Sequence, residues 1–360
     1  MHFSVKRGIE VGNDVRSFEL PSWTFLVILV DILLLIPVVL VFEYTFKLIY
    51  PVFAMVEDEN PPAYEPLALH DPSDDAEGGA GIGITRNGFK PPRGQPRTVT
   101  SSFRAINRLL MASGGLHANF RGFACFLVQA LLTSMAVGLF TTLLGGFFYP
   151  LATLLASLAL VQFSATWVHI VISEQSPLCF WSRLPPFRRT LDATWQAVII
   201  YWAANEITRG IPIAVALILG LDWPRSSGLN SYPMDMDALD AAFITKSLVV
   251  ILITVACSVF VIIPAYVVLI RVQASLLPVE QSTIIPFDRS FEGSVEPEVV
   301  GGKGYATLKD AWVTFRKSSW HRLLTLYVKL FALSIGAVLV CIAVLIPQVI
   351  LIATFSTEVR

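Results

Sequence analysis

Residues 23–42, WTFLVILVDILLLIPVVLVF, decide what class of molecule this chain is. A helix of about 20 apolar residues matches the roughly 30 Å hydrocarbon core of a bilayer. The run is too long for a signal-peptide core and lacks a small-residue cleavage site, so it reads as a retained helix. Working outward, similar runs occupy 123–144, 151–172, 247–270 and 330–352. A shorter one, 207–221, holds Arg209 and Pro212, so its helix is expected to begin within the preceding amphipathic stretch 190–204. The sequence therefore predicts an all-α polytopic membrane protein with about six transmembrane helices.

The composition agrees: 54% of residues are hydrophobic and 15% charged, against about 25% charged in a soluble domain. A formal net charge of −1 argues against nucleic acid as a partner. The segments are expected to be a polar N-terminus (1–22), a first span (23–48) and an acidic-then-basic cytosolic loop without fixed structure (49–100). Next come an interfacial helix with a helical hairpin (101–173) and a second such unit (174–275). A polar loop (276–306) then leads to a third interfacial helix with the last span (307–360).

The first loop carries Glu57, Asp58, Glu59, Glu65, Asp71, Asp74, Asp75 and Glu77, then Arg86, Lys90, Arg93, Arg97, Arg104 and Arg108. Its acidic, proline-rich half has too little apolar surface to fold alone. That half contains Pro61-Pro62-Ala63-Tyr64, a PPxY string. WW domains read such strings because two prolines preset a polyproline II segment for an aromatic-lined groove, and Tyr64 supplies the anchor. The partner expected from this motif is a WW-domain protein such as a HECT-type ubiquitin ligase.

Phe103, Ile106, Leu109 and Leu110 recur at helical spacing, with Arg104 and Arg108 one turn apart on another face. This is the pattern of a helix lying against anionic lipid, here the cytosolic leaflet. An internal repeat extends the theme. Pro186-Phe187-Arg188-Arg189-Thr190 matches Pro286-Phe287-Asp288-Arg289-Ser290, and Thr190-Leu191-Asp192-Ala193-Thr194-Trp195 matches Thr307-Leu308-Lys309-Asp310-Ala311-Trp312. Proline ends one helix, threonine can cap the next, and an aromatic sits at headgroup level. Phe187, Arg189, Trp195, Phe287, Arg289 and Trp312 are thus expected interfacial anchors.

Basic residues sort by loop. With six spans, Lys47, Arg86, Lys90, Arg93, Arg97, Arg104, Arg108 and Arg121 fall in the first loop and Arg183, Arg188 and Arg189 in the third. Arg271, Arg289, Lys303, Lys309, Arg316, Lys317, Arg322 and Lys329 fall in the fifth. The positive-inside rule places these loops in the cytosol and the C-terminus outside, in an endomembrane or the plasma membrane. The first span's own flanks favour the reverse, with Lys6, Arg7 and Arg16 before it; if that segment only dips in, the N-terminus is cytosolic.

Polar groups inside spans are Asp31, Gln129 and His169. An ionisable group at bilayer depth must face the bundle or water, so Asp31 should point inward to a polar partner. His169, beside Trp167, reads as a satisfied interfacial histidine. Cys125, Cys257 and Cys341 lie in apolar runs and Cys179 in a loop, with no metal-ligand or disulfide spacing. No catalytic constellation is present, so neither an enzyme nor a cofactor is expected. Three readings remain: a membrane scaffold presenting PPxY, a small-solute or lipid transporter, and a membrane-shaping structural protein.

Residues 11–18, VGNDVRSF, and 55–64, MVEDENPPAY, resemble a family of fungal multi-span membrane proteins whose members are sometimes labelled ubiquitin carrier or ubiquitin-conjugating proteins. The resemblance implies the multi-span fold. The label implies a soluble conjugating domain with a His-Pro-Asn string, and this chain has neither. A ubiquitin link would therefore run through Tyr64.

Overall fold

The computed structural model describes residues 17–19, 21, 23–58, 98–221, 241–296, 301–355 and 357–359. These are almost all helical, and the fold is an all-α polytopic membrane fold. In order the helices are α1 (Thr24–Leu40), α2 (Tyr50–Val56), α3 (Phe103–Gly114), α4 (Phe123–Leu144), α5 (Tyr149–Ala159) and α6 (Val161–Ile172). They are followed by α7 (Phe187–Ile218), α8 (Ala241–Cys257), α9 (Ile263–Ser275), α10 (Leu308–Val313) and α11 (Lys317–Phe355). The PPxY residues Pro61, Pro62 and Tyr64 lie outside the described residues.

The chain divides into two compact units, one made of Met1–Pro51 with His321–Arg360 and the other of Val52–Trp320. In the first, strands β1 (Ser17–Glu19) and β2 (Thr357–Val359) pair antiparallel, with Ser17 opposite Val359. The Trp23 and Phe355 rings meet edge-on at 6.3 Å. Gln348 Nε2 donates to Asp31 Oδ1 at 3.1 Å, which identifies the inward partner that Asp31 needed. Leu33 is 72% exposed, and Val340 and Val349 are exposed too, an outer surface suited to lipid rather than water.

The first helix outruns its expected end at residue 48. A π-helical stretch, Val41–Ile49, joins α1 to α2, so the helix continues to Val56 and the loop starts only there. A second π-helical stretch, Ser258–Ile262, joins α8 to α9. Pro51 and Pro264 sit just beyond these stretches. Each lacks the N–H that an α-helical turn would use and crowds the carbonyl four residues back, so the turn widens.

In the second unit, α4 and the α5–α6 pair form one hairpin and α7 packs along α8 and α9 in another. Gly145, at φ 91°, allows the chain to leave α4, and Pro150 then occupies the first turn of α5, where a missing N–H costs nothing. Between α5 and α6 the axis bends by 57° at Leu160. The core where α6, α7, α9 and α10 meet is built from Val161, Ala197, Val198, Val268, Leu269, Val272 and Ala311. Thr190, Thr194, Ala197, Ala204 and Thr208 are buried on α7, small residues that let helices approach closely.

Among the described residues, four helices are long and apolar enough to cross a membrane: Thr24–Val56, His117–Leu144, Ala241–Ser275 and Lys317–Phe355. A fifth is reached if the bent pair α5–α6 is one span. The expected sixth is α7, 32 residues long and continuous from the amphipathic stretch, as its sequence suggested. It falls short on composition because it carries Arg188, Arg189, Asp192, Glu206 and Arg209.

The repeat diverges in three dimensions. Phe187 opens α7 directly, and Thr190, expected as a cap, instead lies inside the helix with its hydroxyl donating to the Pro186 carbonyl at 2.9 Å. Phe287 and Arg289 lie in a turn, whereas Thr307 does cap α10 through a box with Asp310. The third amphipathic stretch is broken between Val313 and Lys317, so α10 is only 6 residues long.

Candidate functional site

The helix hairpins of the second unit start and finish at one hydrogen-bonded platform. Glu57, 1% exposed, accepts hydrogen bonds from the Val99 amide, the Thr100 amide (3.0 Å) and the Thr100 hydroxyl. The Asp58 amide donates to the Pro286 carbonyl at 2.9 Å. Ser173 bridges to Thr283, and the Ile284 amide donates to the Ile172 carbonyl at 3.0 Å. Arg183 Nη2 reaches Ser173 Oγ and Gln281 Oε1, both at 2.7 Å, while Arg121 donates to Ser113 Oγ and to the Ser173 carbonyl. Arg289 donates to the Pro278 carbonyl at 2.8 Å and to that of Gln281. Burial lowers the pKa of Arg183 and of Arg289 below the ordinary guanidinium value.

Residues around 57–58, 98–121, 173–183 and 278–292 therefore share one face of this unit. The chain leaves and regains that face through α4 with α5–α6, and again through α7 with α8–α9.

Of the expected anchors, Arg104 and Arg108 are exposed on α3 while Ile106 and Leu110 are buried one turn apart, as the amphipathic pattern requires. Phe187, Trp195 and Trp312 are 41%, 45% and 48% exposed. Trp312 packs edge-on against Trp320 at 5.6 Å, and Phe287 against Phe291 at 5.7 Å. Arg289 is not lipid-facing in the expected way; it ties its own loop together. His169 is buried rather than interfacial, with Nε2 2.9 Å from the Gln273 carbonyl oxygen. It is satisfied, as expected, but in the bundle interior.

Gln273 leads to the feature that sequence reading missed. A cleft of about 340 Å³ opens among α4, α5, α6, α7 and α9. Its walls include Gln129 and Thr133 from α4, Thr153 and Ser157 from α5, and Ser164 from α6. Tyr201, Trp202, Asn205, Glu206 and Arg209 come from α7, and Gln273 from α9. The break at Leu160 lies on its lining.

Gln273 is wholly buried. Its Nε2 donates to Ser164 Oγ at 2.9 Å, but its Oε1 has no hydrogen-bond partner among the described residues. Glu206 Oε1 lies 3.3 Å from Arg209 Nη1 at an angle that makes no hydrogen bond, and it too has none. At the other end, Trp202 Nε1 donates to the Pro150 carbonyl at 2.9 Å, and Arg209 sits 5.9 Å over the Tyr149 ring. Arg209 lies 22 residues past Phe187, about 33 Å along α7 at 1.5 Å per residue. The cleft thus runs from the α4–α5 turn inward to Gln273 near the platform.

A signal for it does exist in the sequence. Gln129–Thr133, Thr153–Ser157 and Tyr201–Asn205–Arg209 recur every four residues within apolar runs, each a polar stripe on one helix face. Among the described residues no cluster of His, Cys, Asp or Glu could hold a metal ion. Compared with family models, with curated proteins and with solved structures, the chain finds no match in any of the three.

Proposed function

We propose that this protein binds a small polar solute inside the membrane and moves it across. The observation that supports the reading is the cleft: polar side chains on largely apolar helices, beside a broken helix, with two buried acceptors that make no hydrogen bond among the described residues. Polar groups are costly in hydrocarbon and are retained where they face a cavity or a pathway. Broken helices at mid-membrane are how many secondary carriers build their binding sites. Charge counting supports a cytosolic platform face, so the Arg209 end would open to the opposite side.

The test is water access. In lipid nanodiscs, which leave both faces open to reagent, Ser157→Cys and Ser164→Cys, in a background retaining only Cys179 as the exposed control, should react with a membrane-impermeant cationic thiosulfonate. If Cys179 reacts while both cleft positions stay inert, the cleft is not an aqueous pathway and the reading fails.

A second reading, a scaffold presenting Pro61-Pro62-Ala63-Tyr64 to a WW-domain ubiquitin ligase, draws support from Glu57. Its bonds to Val99 and Thr100 hold residues 57 and 99–100, on either side of the motif, together on the platform. Capture of the full-length protein in nanodiscs by WW domains should be lost with Tyr64→Ala; equal capture of both proteins would count against it.

A further inference from the structure

We infer that the solute is an uncharged polyhydroxyl compound of monosaccharide or sugar-alcohol size. This rests on the cleft being a solute site, and it follows from which hydrogen-bonding roles the walls leave open.

Several hydroxyl and amide donors of the cleft are spent on the protein itself. Thr153 Oγ1 gives its proton to the Pro150 carbonyl at 2.7 Å, and Ser157 Oγ to the Thr153 carbonyl at 2.8 Å. Asn205 Nδ2 donates to the Tyr201 carbonyl at 2.7 Å, and Gln273 Nε2 to Ser164 Oγ. A hydroxyl that has given up its proton can only accept. The two unmatched buried atoms, Gln273 Oε1 and Glu206 Oε1, are also acceptors. They stand on different helices, toward opposite ends of the cleft, and the same walls carry the Arg209 guanidinium and the Tyr201 hydroxyl as donors, so a ligand that both donates and accepts along its length fits them.

Charge narrows the class further. Glu206 and Arg209 offset one another, and no other charged side chain lines the cleft. An amine or polyamine could supply donors, but the one carboxylate its charge would meet, Glu206, is already offset by Arg209. A zwitterion carries its donors at one end only. A polyol presents neutral donors throughout, and its C–H edges suit the apolar faces of Tyr201 and Trp202. A volume of about 340 Å³ falls at the small end of ligand-site sizes.

The experiment uses the full-length protein in lipid nanodiscs with four radiolabelled probes: a hexose, a hexitol, a neutral amino acid and a primary amine. Saturable binding of the hexose or hexitol, weakened at least tenfold by Gln273→Leu and by Glu206→Gln, is the expected result. Gln273→Leu also deletes the bond to Ser164; Glu206→Gln at the outer end keeps the side chain's size while turning one acceptor into a donor, so a folded variant remains to decide the matter. Binding of the amino acid or amine in place of the polyols overturns the solute class and leaves the cleft reading standing. Polyol binding unchanged by both substitutions places the site elsewhere and overturns the assignment. No binding by any probe also overturns it, and thiol labelling at residues 157 and 164 then decides whether the cleft reading falls as well.

Discussion

Arg271 Nη1 donates to the main-chain oxygen of Met55 at 3.2 Å, tying the end of α9 to the end of the first long helix. Its Nε reaches the Ala311 carbonyl at 3.1 Å and its Nη2 the Thr314 hydroxyl at 2.8 Å. The Phe291 and Phe315 rings lie 5.0 and 5.3 Å from the guanidinium. A planar fork with several donors satisfies these acceptors at once, which an ammonium cannot do. Arg271→Met should strand three acceptors and destabilise the protein by about 3 kcal/mol. Arg271→Lys should recover only part of that. Thermal unfolding in detergent measures both; a Lys variant as stable as the native protein would refute the fork argument.

Glu57 presents a parallel case with the opposite charge. Glu57→Ala would leave the buried amide of Thr100 unmatched, at a cost of about 2 kcal/mol. Thr100→Val removes only the hydroxyl contact and should cost less. The order of the two melting temperatures checks this.

Asp288 gives the platform a pH dependence whose sign is fixed. Burial alone raises its pKa, but bonds from the Ser290 hydroxyl and the Glu292 and Ser290 amides, with the charge of Arg271, bring it below the ordinary aspartate value. A depressed folded pKa means the stabilisation is complete above the unfolded value, about 3.9, and is lost as pH falls through the lower folded one. Stability should therefore drop in acid, and Asp288→Asn should flatten that limb. Unfolding midpoints from pH 6 down to the acid limit provide the comparison.

In the first unit, Asp31 and Gln348 should behave as a coupled pair. Leu at either position alone leaves a polar group without its partner in an apolar setting, whereas Leu at both removes the mismatch. A double-mutant cycle on unfolding should show coupling of about 0.5–1.5 kcal/mol. Additive single effects would show that the 3.1 Å contact carries no energy.

Two glycines predict a contrast. A Cβ at Gly302 would collide with the Glu296 main-chain oxygen, whereas at Gly114 it would meet the movable end of the Gln175 side chain. Gly302→Ala should lower the melting temperature clearly and Gly114→Ala only slightly.

Helices and hairpins were legible in the sequence because runs such as 23–42 and 123–144 report burial in lipid with little dependence on neighbours. The basic face of Arg104 and Arg108 was legible for the same reason, one helix being enough to define it. The cleft was not, because its wall needs five helices, and each contributes only a few polar residues, α6 and α9 a single one apiece. Gln129 alone looks like an isolated amide; its meaning depends on Gln273 and Glu206 arriving opposite. Likewise His169 beside Trp167 resembled an interfacial pair until α9 brought the Gln273 carbonyl against it.

The bend at Leu160 has an electrical consequence. It separates two shorter helices, so the cleft wall meets the carbonyl end of α5 and the amide end of α6 within a few residues. Each end carries roughly half an elementary charge, negative on the first and positive on the second. Any solute bound there would sit in a fixed dipolar field that the backbone generates and that no change of pH can switch off.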